Sequence, residues 1–499
     1  MKYGLILLAL SLSYCWPASA DEPIDIGSRR ELFVDDYLID SSKGVELRLQ
    51  KPTPREIVLV HDDPWEGSGT GYFTVFRDRR IFRMYYKAWG LTNEDGTERS
   101  KRPVYACYAE STDGVQWKKP DLGLIEFQGS KHNNIVWTDL KADNFSVFKD
   151  TNPDCLPGEE YKALALGLGG LRAHKSHDGI RWSPLKTYPL ITKGAFDSQN
   201  LAFWDPLRKH YWCYLRDFHN NIRDIRVSTS KDFITWTEPE MISYVDSPDE
   251  QLYTNQIQPY YRAPHIFVGF PTRYVERRWS PTYLSLPDPE HRHQRMKLQY
   301  RYGTAVTEGL FMTSRDGHTF NRWGEAFIRP GIERKHNWVY GDGYKCWGLI
   351  ETQAADPLAP NELSFYAGEN YWKTAVHLRR YTMRIDGFVA LNAPLKGGDV
   401  VTKPIIFAGN SLSLNFSTSA AGSIHVEIQD ASGKPISGYS LADCHEVFGD
   451  SLYRVVAWKT GSDLSKLAGR PIRLRFTMKD ADLFSFQFSD ADFVGHSRD

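Results

Sequence analysis

Cysteine is scarce in this 499-residue chain: there are six, and none forms a Cys-x-x-Cys pair. That absence removes the zinc-ribbon and thioredoxin-type readings. With Cys15 set aside as part of a leader, Cys107, Cys155, Cys213, Cys346 and Cys444 remain, an odd number inside strand-like segments. They are expected to be buried free thiols, so core packing rather than a disulfide framework holds the fold. An excess of charge is missing too. Lys and Arg total 61 against 62 Asp and Glu, and no basic stripe breaks the mixture, so nucleic acid is not the expected partner. Gly-x-Gly-x-x-Gly, P-loop and Gly-x-Ser-x-Gly patterns are absent, which leaves nucleotide cofactors and serine-esterase chemistry without support. No cofactor or metal is expected. His291-Arg292-His293 has two imidazoles but no partnering Cys or carboxylate pattern, and reads as a solvated loop.

Long apolar runs are confined to the first 20 residues. Lys2, the stretch from Leu5 to Leu12 and the small residues of Ala18-Ser19-Ala20 have the anatomy of a secretory signal, with cleavage before Asp21. The run is too short to span a bilayer. The expectation is therefore a secreted or periplasmic protein without a membrane span, and its oligomeric state is open.

What is present is β-type. At 499 residues, two domains are the natural expectation. From about residue 30 to 395, alternating runs are punctuated by Gly, Pro, Asp and Asn, and no long amphipathic helix appears. A pattern Ser-x-Asp-x-x-x-Trp/Phe occurs four times: Ser111/Asp113/Trp117, Ser176/Asp178/Trp182, Ser230/Asp232/Trp236 and Ser314/Asp316/Phe320. Gly114, Gly179 and Gly317 follow the Asp in three copies, and Phe233 takes that place in the other. Each reads as a hairpin turn in which Asp caps its own backbone, Gly supplies a positive φ and the aromatic closes the core. The copies lie 65, 54 and 84 residues apart, close to one four-stranded propeller blade plus insertions.

Grouping the strand-like runs yields five units, and hence a five-bladed β-propeller over residues 21–395. The segment Glu31–Ile39 is expected to pair with the last blade and close the ring. Residues 275–299 form an insertion in the fourth unit, a lid or rim loop. After residue 396 the alternation and turns read as a small β-sandwich, residues 396–499, that buttresses the propeller.

Five such units, a leader and a C-terminal β-sandwich resemble the five-bladed propeller glycoside hydrolases, the invertase/levansucrase and arabinanase-type superfamilies. The resemblance covers most of residues 30–499 and rests on architecture and on the Ser-x-Asp-Gly-x-x-Trp turns. The Asn-Asp-Pro-Asn motif and Glu-Cys pair of invertases are absent. The turns are similar to sialidase Asp-boxes, except that Gly follows Asp directly and the aromatic arrives one residue early. Arg30–Asp36 and the C-terminal domain look like secreted propeller proteins of polysaccharide-degrading bacteria. The resemblance implies a carbohydrate substrate.

Glycosidic cleavage needs one carboxyl to protonate the leaving oxygen and a second to attack or activate water. In a propeller, residues that precede the innermost strands gather at one end of the tunnel. On that basis Asp62 is the expected base or nucleophile, Asp197 the modulator of transition state and pKa, and Glu250 the acid. Trp65, Glu66, Asn200, Arg216, Tyr253, Asn255, Arg273, Tyr340 and Asp342 are the expected substrate contacts. Among them an Arg would grip a carboxylate or sulfate, or else pair with an Asp between blades. The alternatives are a non-catalytic carbohydrate-binding propeller and a polysaccharide lyase.

Overall fold

A computed structural model describes residues 22–138 and 143–490. The leader expected over residues 1–20 lies outside the described residues. Strands dominate, and five sheets, antiparallel except for a parallel edge strand, Ser243–Val245, in the fourth, form the blades of a propeller. The first contains Gly71–Asp78, Ile81–Ala88, Tyr105–Ser111 and Ile135–Thr138. The second contains Asp143–Lys149, Tyr161–Gly167, Gly170–Ser176 and Ser183–Pro184. The third contains Leu201–Asp205, His210–His219, Ile222–Ser230 and Glu240–Met241. The fourth is built on Gln258–Tyr260, Ala263–Gly269, Met312–Ser314 and Thr319–Arg322. A two-stranded ribbon, Thr272–Glu276 with Ala305–Gly309, accompanies it. Ile350–Thr352, Glu362–Glu369, Val376–Met383 and Thr53–His61 make the fifth.

The repeated turns have the geometry their composition demands. In the first, Asp113 Oδ1 accepts from the backbone N–H groups of Val115 and Gln116 at 2.8 Å each, and Ser111 Oγ accepts from Gly114 N–H at 2.9 Å. Gly114 sits at φ +74°, and the Trp117 indole N–H reaches back to its carbonyl. The Asp cap repeats in the other copies, and Phe233 adopts φ +64° in the glycine's place. These turns also latch blades together. The glycine carbonyls of copies one, two and four accept hydroxyls from Tyr366, Tyr85 and Tyr214, each on the preceding blade, at 2.5, 2.9 and 2.8 Å. At the third turn, between blades two and three, the wholly buried Phe233 ring packs against Phe148 and Tyr211 instead. That is the reason a side chain replaces glycine there.

Ring closure differs from the expectation. Thr53–His61 is the outermost strand of blade five, pairing antiparallel with Val376–Met383. The segment expected to close the ring goes elsewhere: Arg30–Leu32 pairs with Ile472–Ser489, and Ile39–Lys43 with Gly398–Thr402. Ile24–Gly27, Glu46–Leu49 and Val389–Ala393 join the same C-terminal sheet system. Residues 24–49 are short strands with little apolar face, so pattern alone does not say which sheet they complete. The sandwich is organised by two long strands, Ser411–Asp430 and Ile472–Ser489, whose pairing breaks between Thr418 and Ser423. Residues from both halves, Leu414 and Phe416 together with Val426 and Ile428, enter one core with Phe476 and Phe486. The pair therefore folds over on itself rather than lying flat.

The insertion contains helices, Thr282–Ser285, Pro289–Leu298 and Tyr300–Thr304. Its longest helix has no apolar stripe, which is why periodicity misses it. Buried arginines hold it instead: Arg292 donates to the carbonyls of Asn337 and Trp338, and Arg295 to that of Tyr302. Of the five cysteines in the described residues, Cys107, Cys213, Cys346 and Cys444 are buried and Cys155 is half-buried, all as free thiols.

Candidate functional site at the tunnel mouth

The chain leading into each inner strand meets its neighbours through backbone-directed hydrogen bonds, and these assemble one end of the tunnel. The Asn144 amide donates to the Ser198 carbonyl at 2.8 Å, and Ser198 Oγ donates to the Tyr253 carbonyl at 2.6 Å. Gln199 Nε2 reaches across to the carbonyls of Tyr72 and Phe73, and accepts at Oε1 from Gln256 at 2.7 Å. Blades one to four are thus tied together by four amide and hydroxyl side chains. Tyr72, Asn144 and Gln256 all lie at positive φ, 54°, 59° and 47°. Non-glycine residues keep such conformations only where the surroundings over-determine them, as at built sites.

Aromatic residues surround this mouth. Tyr253, Tyr274, Tyr302, Tyr340, Tyr371 and Trp372 form one buried cluster, with Tyr72, Trp89 and Tyr344 packed against it. The Tyr340 hydroxyl donates to that of Tyr253 at 2.9 Å. Burial, then the neighbouring phenols and the Asp197 carboxylate, push the Tyr72 hydroxyl well above its ordinary range, and Tyr371 is raised in the same way. Asp197, itself exposed, is thus near enough for its charge to reach both phenols. A second carboxylate comes from the adjacent blade. Asp143 pairs with the buried Lys87 at 2.5 Å, and that ammonium lies 3.7 Å from the centre of the Trp89 ring. Because Asn144 is latched to Ser198, the segments carrying Asp143 and Asp197 are held side by side.

The expected site residues divide into those at the mouth and those elsewhere. Asp197, Arg216, Tyr253 and Tyr340 are at the mouth. Asn200 and Asn255 are buried beneath it with their amides on backbone carbonyls: Asn200 on Phe196 and Ser198, shaping the loop that presents Asp197, and Asn255 on Tyr214. Asp342 is buried behind Tyr371, whose N–H it accepts at 2.9 Å; burial pushes its carboxyl up to about 8.

Asp62, Trp65 and Glu66 are grouped in a different place. Asp62 and Trp65 line a side groove with Trp117, Lys119 and His132. Glu66 is buried against His61, Tyr86 and Lys119. Burial opposes its charge, but His61 and Lys119 override it and hold the carboxyl down at about 2. The displacement follows from ring closure: His61 ends an outermost strand, so residues 62–66 run along the periphery before the chain turns inward. Glu250 is held between Arg273, at 2.8 Å, and Arg322, at 2.9 Å. Arg273 also pairs with Glu308. Alternation along Thr272–Glu276 puts Arg273 on the face opposite Tyr274, so this ionic cluster turns away from the aromatic ring.

Tyr72, Lys87, Arg301 and Tyr371 were not anticipated. Lys87 and Trp89 are two apart at the end of one strand, so a shared face was readable. Arg301 belongs to the insertion, and nothing local marks it. A cavity of about 820 Å³ lies elsewhere, between blades two and three, beside Cys155, Lys162 and Trp204.

Fold and mouth together define a five-bladed propeller with an aromatic-rimmed acidic opening. No family model matches the chain, and no curated protein matches it. Solved structures that it resembles include the catalytic domain of a GH62 α-L-arabinofuranosidase from Coprinopsis cinerea, with TM-score 0.42, 10% identity, and coverage of 67% of this chain and 97% of that one. A GH32 β-fructofuranosidase from Bombyx mori has TM-score 0.40 and 9% identity over 88% of this chain and 94% of its own. An N-acetylgalactosamine deacetylase from F. plautii has TM-score 0.40 and 12% identity over 72% and 94%. Propeller glycoside hydrolases are thus among the similar structures, alongside a protein of different chemistry.

Proposed function

We propose that the protein is a glycoside hydrolase acting on a poly- or oligosaccharide at the tunnel mouth, with Asp143 and Asp197 as its carboxyl pair. The observation that carries this reading is that the two acids come from adjacent blades whose loops are latched by the Asn144–Ser198 hydrogen bond, with Asp143 ion-paired to a Lys87 that lies against Trp89 and Tyr72. Aromatic faces suit the C–H faces of sugar rings. One carboxyl protonates the glycosidic oxygen as its C–O bond breaks; the other takes a proton from the water that attacks the anomeric carbon, or attacks that carbon itself. Asp197, the more exposed of the two, suits the acid that meets the leaving group. Asp143, ion-paired with Lys87, suits the base or nucleophile. Export, expected from the leader, would bring such an enzyme to extracellular glycans.

The test is release of reducing sugar from a panel of plant and algal glycans. Asp143→Asn and Asp197→Asn are each expected to lower turnover by about 100-fold or more in a folded protein, with the melting temperature kept in Asp197→Asn and lowered in Asp143→Asn, which leaves the buried Lys87 without its carboxylate. Full activity in either variant removes that residue from the mechanism. Retained glycan binding without turnover in the wild type would instead favour a binding propeller. A lyase would produce an unsaturated, ultraviolet-absorbing product. Burial pushes the Tyr340 phenol well above its ordinary range, which counts against it as a lyase base.

A further inference from the structure

Three arginines converge on the Tyr253–Tyr340 pair. The Arg216 guanidinium carbon lies 5.3 Å from the Tyr253 ring centre. That of Arg223 lies 5.6 Å from Tyr253 and 4.8 Å from Tyr274, and that of Arg301 lies 5.4 Å from Tyr340. Strand register explains the first two. Phe218 pairs directly with Arg223, and Asp217 with Asp224. Arg216, Phe218 and Arg223 therefore share the mouth face, while both aspartates are on the reverse, engaged with Arg226 and Tyr244. Phe218 is 43% exposed and is flanked by both guanidiniums, at 5.3 and 5.5 Å.

None of these three arginines is paired with a carboxylate among the described residues, unlike Arg273, which has two. Arg216 Nε donates to the Ala195 carbonyl and Arg223 Nη1 to the Gln251 amide oxygen. Arg223 Nε and Arg301 Nη1 are buried without a hydrogen-bond partner. Buried guanidinium donors normally find acceptors, so these two donors beside an aromatic surface are free to take an anionic group.

We infer that the mouth binds an anionic sugar, with Arg216, Arg223 and Arg301 gripping a carboxylate or sulfate substituent while Phe218 and the tyrosines contact the ring. This rests on the reading of the mouth as the substrate site, but it is tested by binding rather than turnover. The probes are trigalacturonate and its carboxyl-reduced counterpart, and a κ-carrageenan tetrasaccharide and its desulfated counterpart. Each is titrated calorimetrically against the Asp197→Asn variant.

At least one anionic probe is expected to bind about 10-fold or more tightly than its neutral partner, and the pair showing the gap identifies carboxylate or sulfate. Arg301→Gln and Arg223→Gln are each expected to remove most of that gap. Arg223→Lys keeps charge and stem but loses the fork, and is expected to retain only part of it; it covers the case in which a Gln variant fails to fold. Equal affinities within both pairs, no binding of either anionic probe, or a gap that survives undiminished in folded Arg301→Gln, Arg223→Gln or Arg223→Lys overturns the inference. Hydrolysis of neutral glycans without charge discrimination would sink this inference alone. Charge discrimination without any hydrolysis would sink the enzymatic reading alone.

Discussion

Asp342 shows how burial and hydrogen bonding set one residue's behaviour. Its Oδ1 accepts the Tyr371 N–H, while Oδ2 is buried without a partner. Burial raises the carboxyl from 3.8 to about 8, against the opposing hydrogen bond from Tyr371. The folded state therefore favours the protonated acid. Its contribution is most favourable below the unfolded value and is lost progressively as pH rises towards 8. Asp342→Asn keeps the acceptor and removes the titration. The variant is expected to melt several degrees above the wild type at pH 8, a gain of order 2 kcal/mol, with little difference at pH 4. Thermal melts at the two pH values check this; an unchanged difference between them would show that Asp342 does not titrate as its burial implies. In the sequence the same residue reads as a substrate contact, since burial is not a local property.

At the scale of elements, the Ser-x-Asp turns carry the clearest sequence signal and have a double role. Their capping bonds are local, so composition announces them. Their bonds to Tyr366, Tyr85 and Tyr214 join blades and depend on the ring being assembled. Gly114→Ala is expected to cost ~1–2 kcal/mol. The residue would be strained at φ +74°, and its Cβ would come within 2.7 Å of Ile350 Cδ1 and 2.9 Å of Thr352 Cγ2 on blade five. Denaturant unfolding measures it, and a neutral result would mean that the blade interface gives way freely. The helical insertion is the opposite case. It is held by buried arginines on carbonyls rather than by an apolar face, and so it was legible only as a polar interruption.

For the whole molecule, the decisive joint is Asp386. It is wholly buried, with Arg262 at 2.9 Å and Arg30 at 3.5 Å, and it accepts from Tyr260, Asn415 and Ser485. One carboxylate thereby ties the N-terminal strands, blade four and the C-terminal sheet. Glu31 and Asp35, both bound by Arg315 of the fourth turn, reinforce the same junction. Asp386→Ala leaves two buried guanidiniums uncompensated and is expected to cost about 3–5 kcal/mol. A melt that keeps its midpoint would deny the joint this role.

The sequence by itself determined the all-β class, the five blades, the latching turns and the β-sandwich after them, because each rests on periods and turn chemistry written within a few dozen residues. It also nominated Asp197, Arg216, Tyr253 and Tyr340 for the tunnel mouth. Only the tertiary structure decided which strand closes the ring and which acids share the mouth. Thr53–His61 outcompetes Glu31–Ile39 for the edge of blade five through pairing across more than 300 residues, and that choice leaves Asp62 at the periphery. Strand alternation likewise turns Glu250 and Arg273 away from Tyr274. Which face a side chain occupies depends on register with a distant partner, and no local pattern encodes that partner.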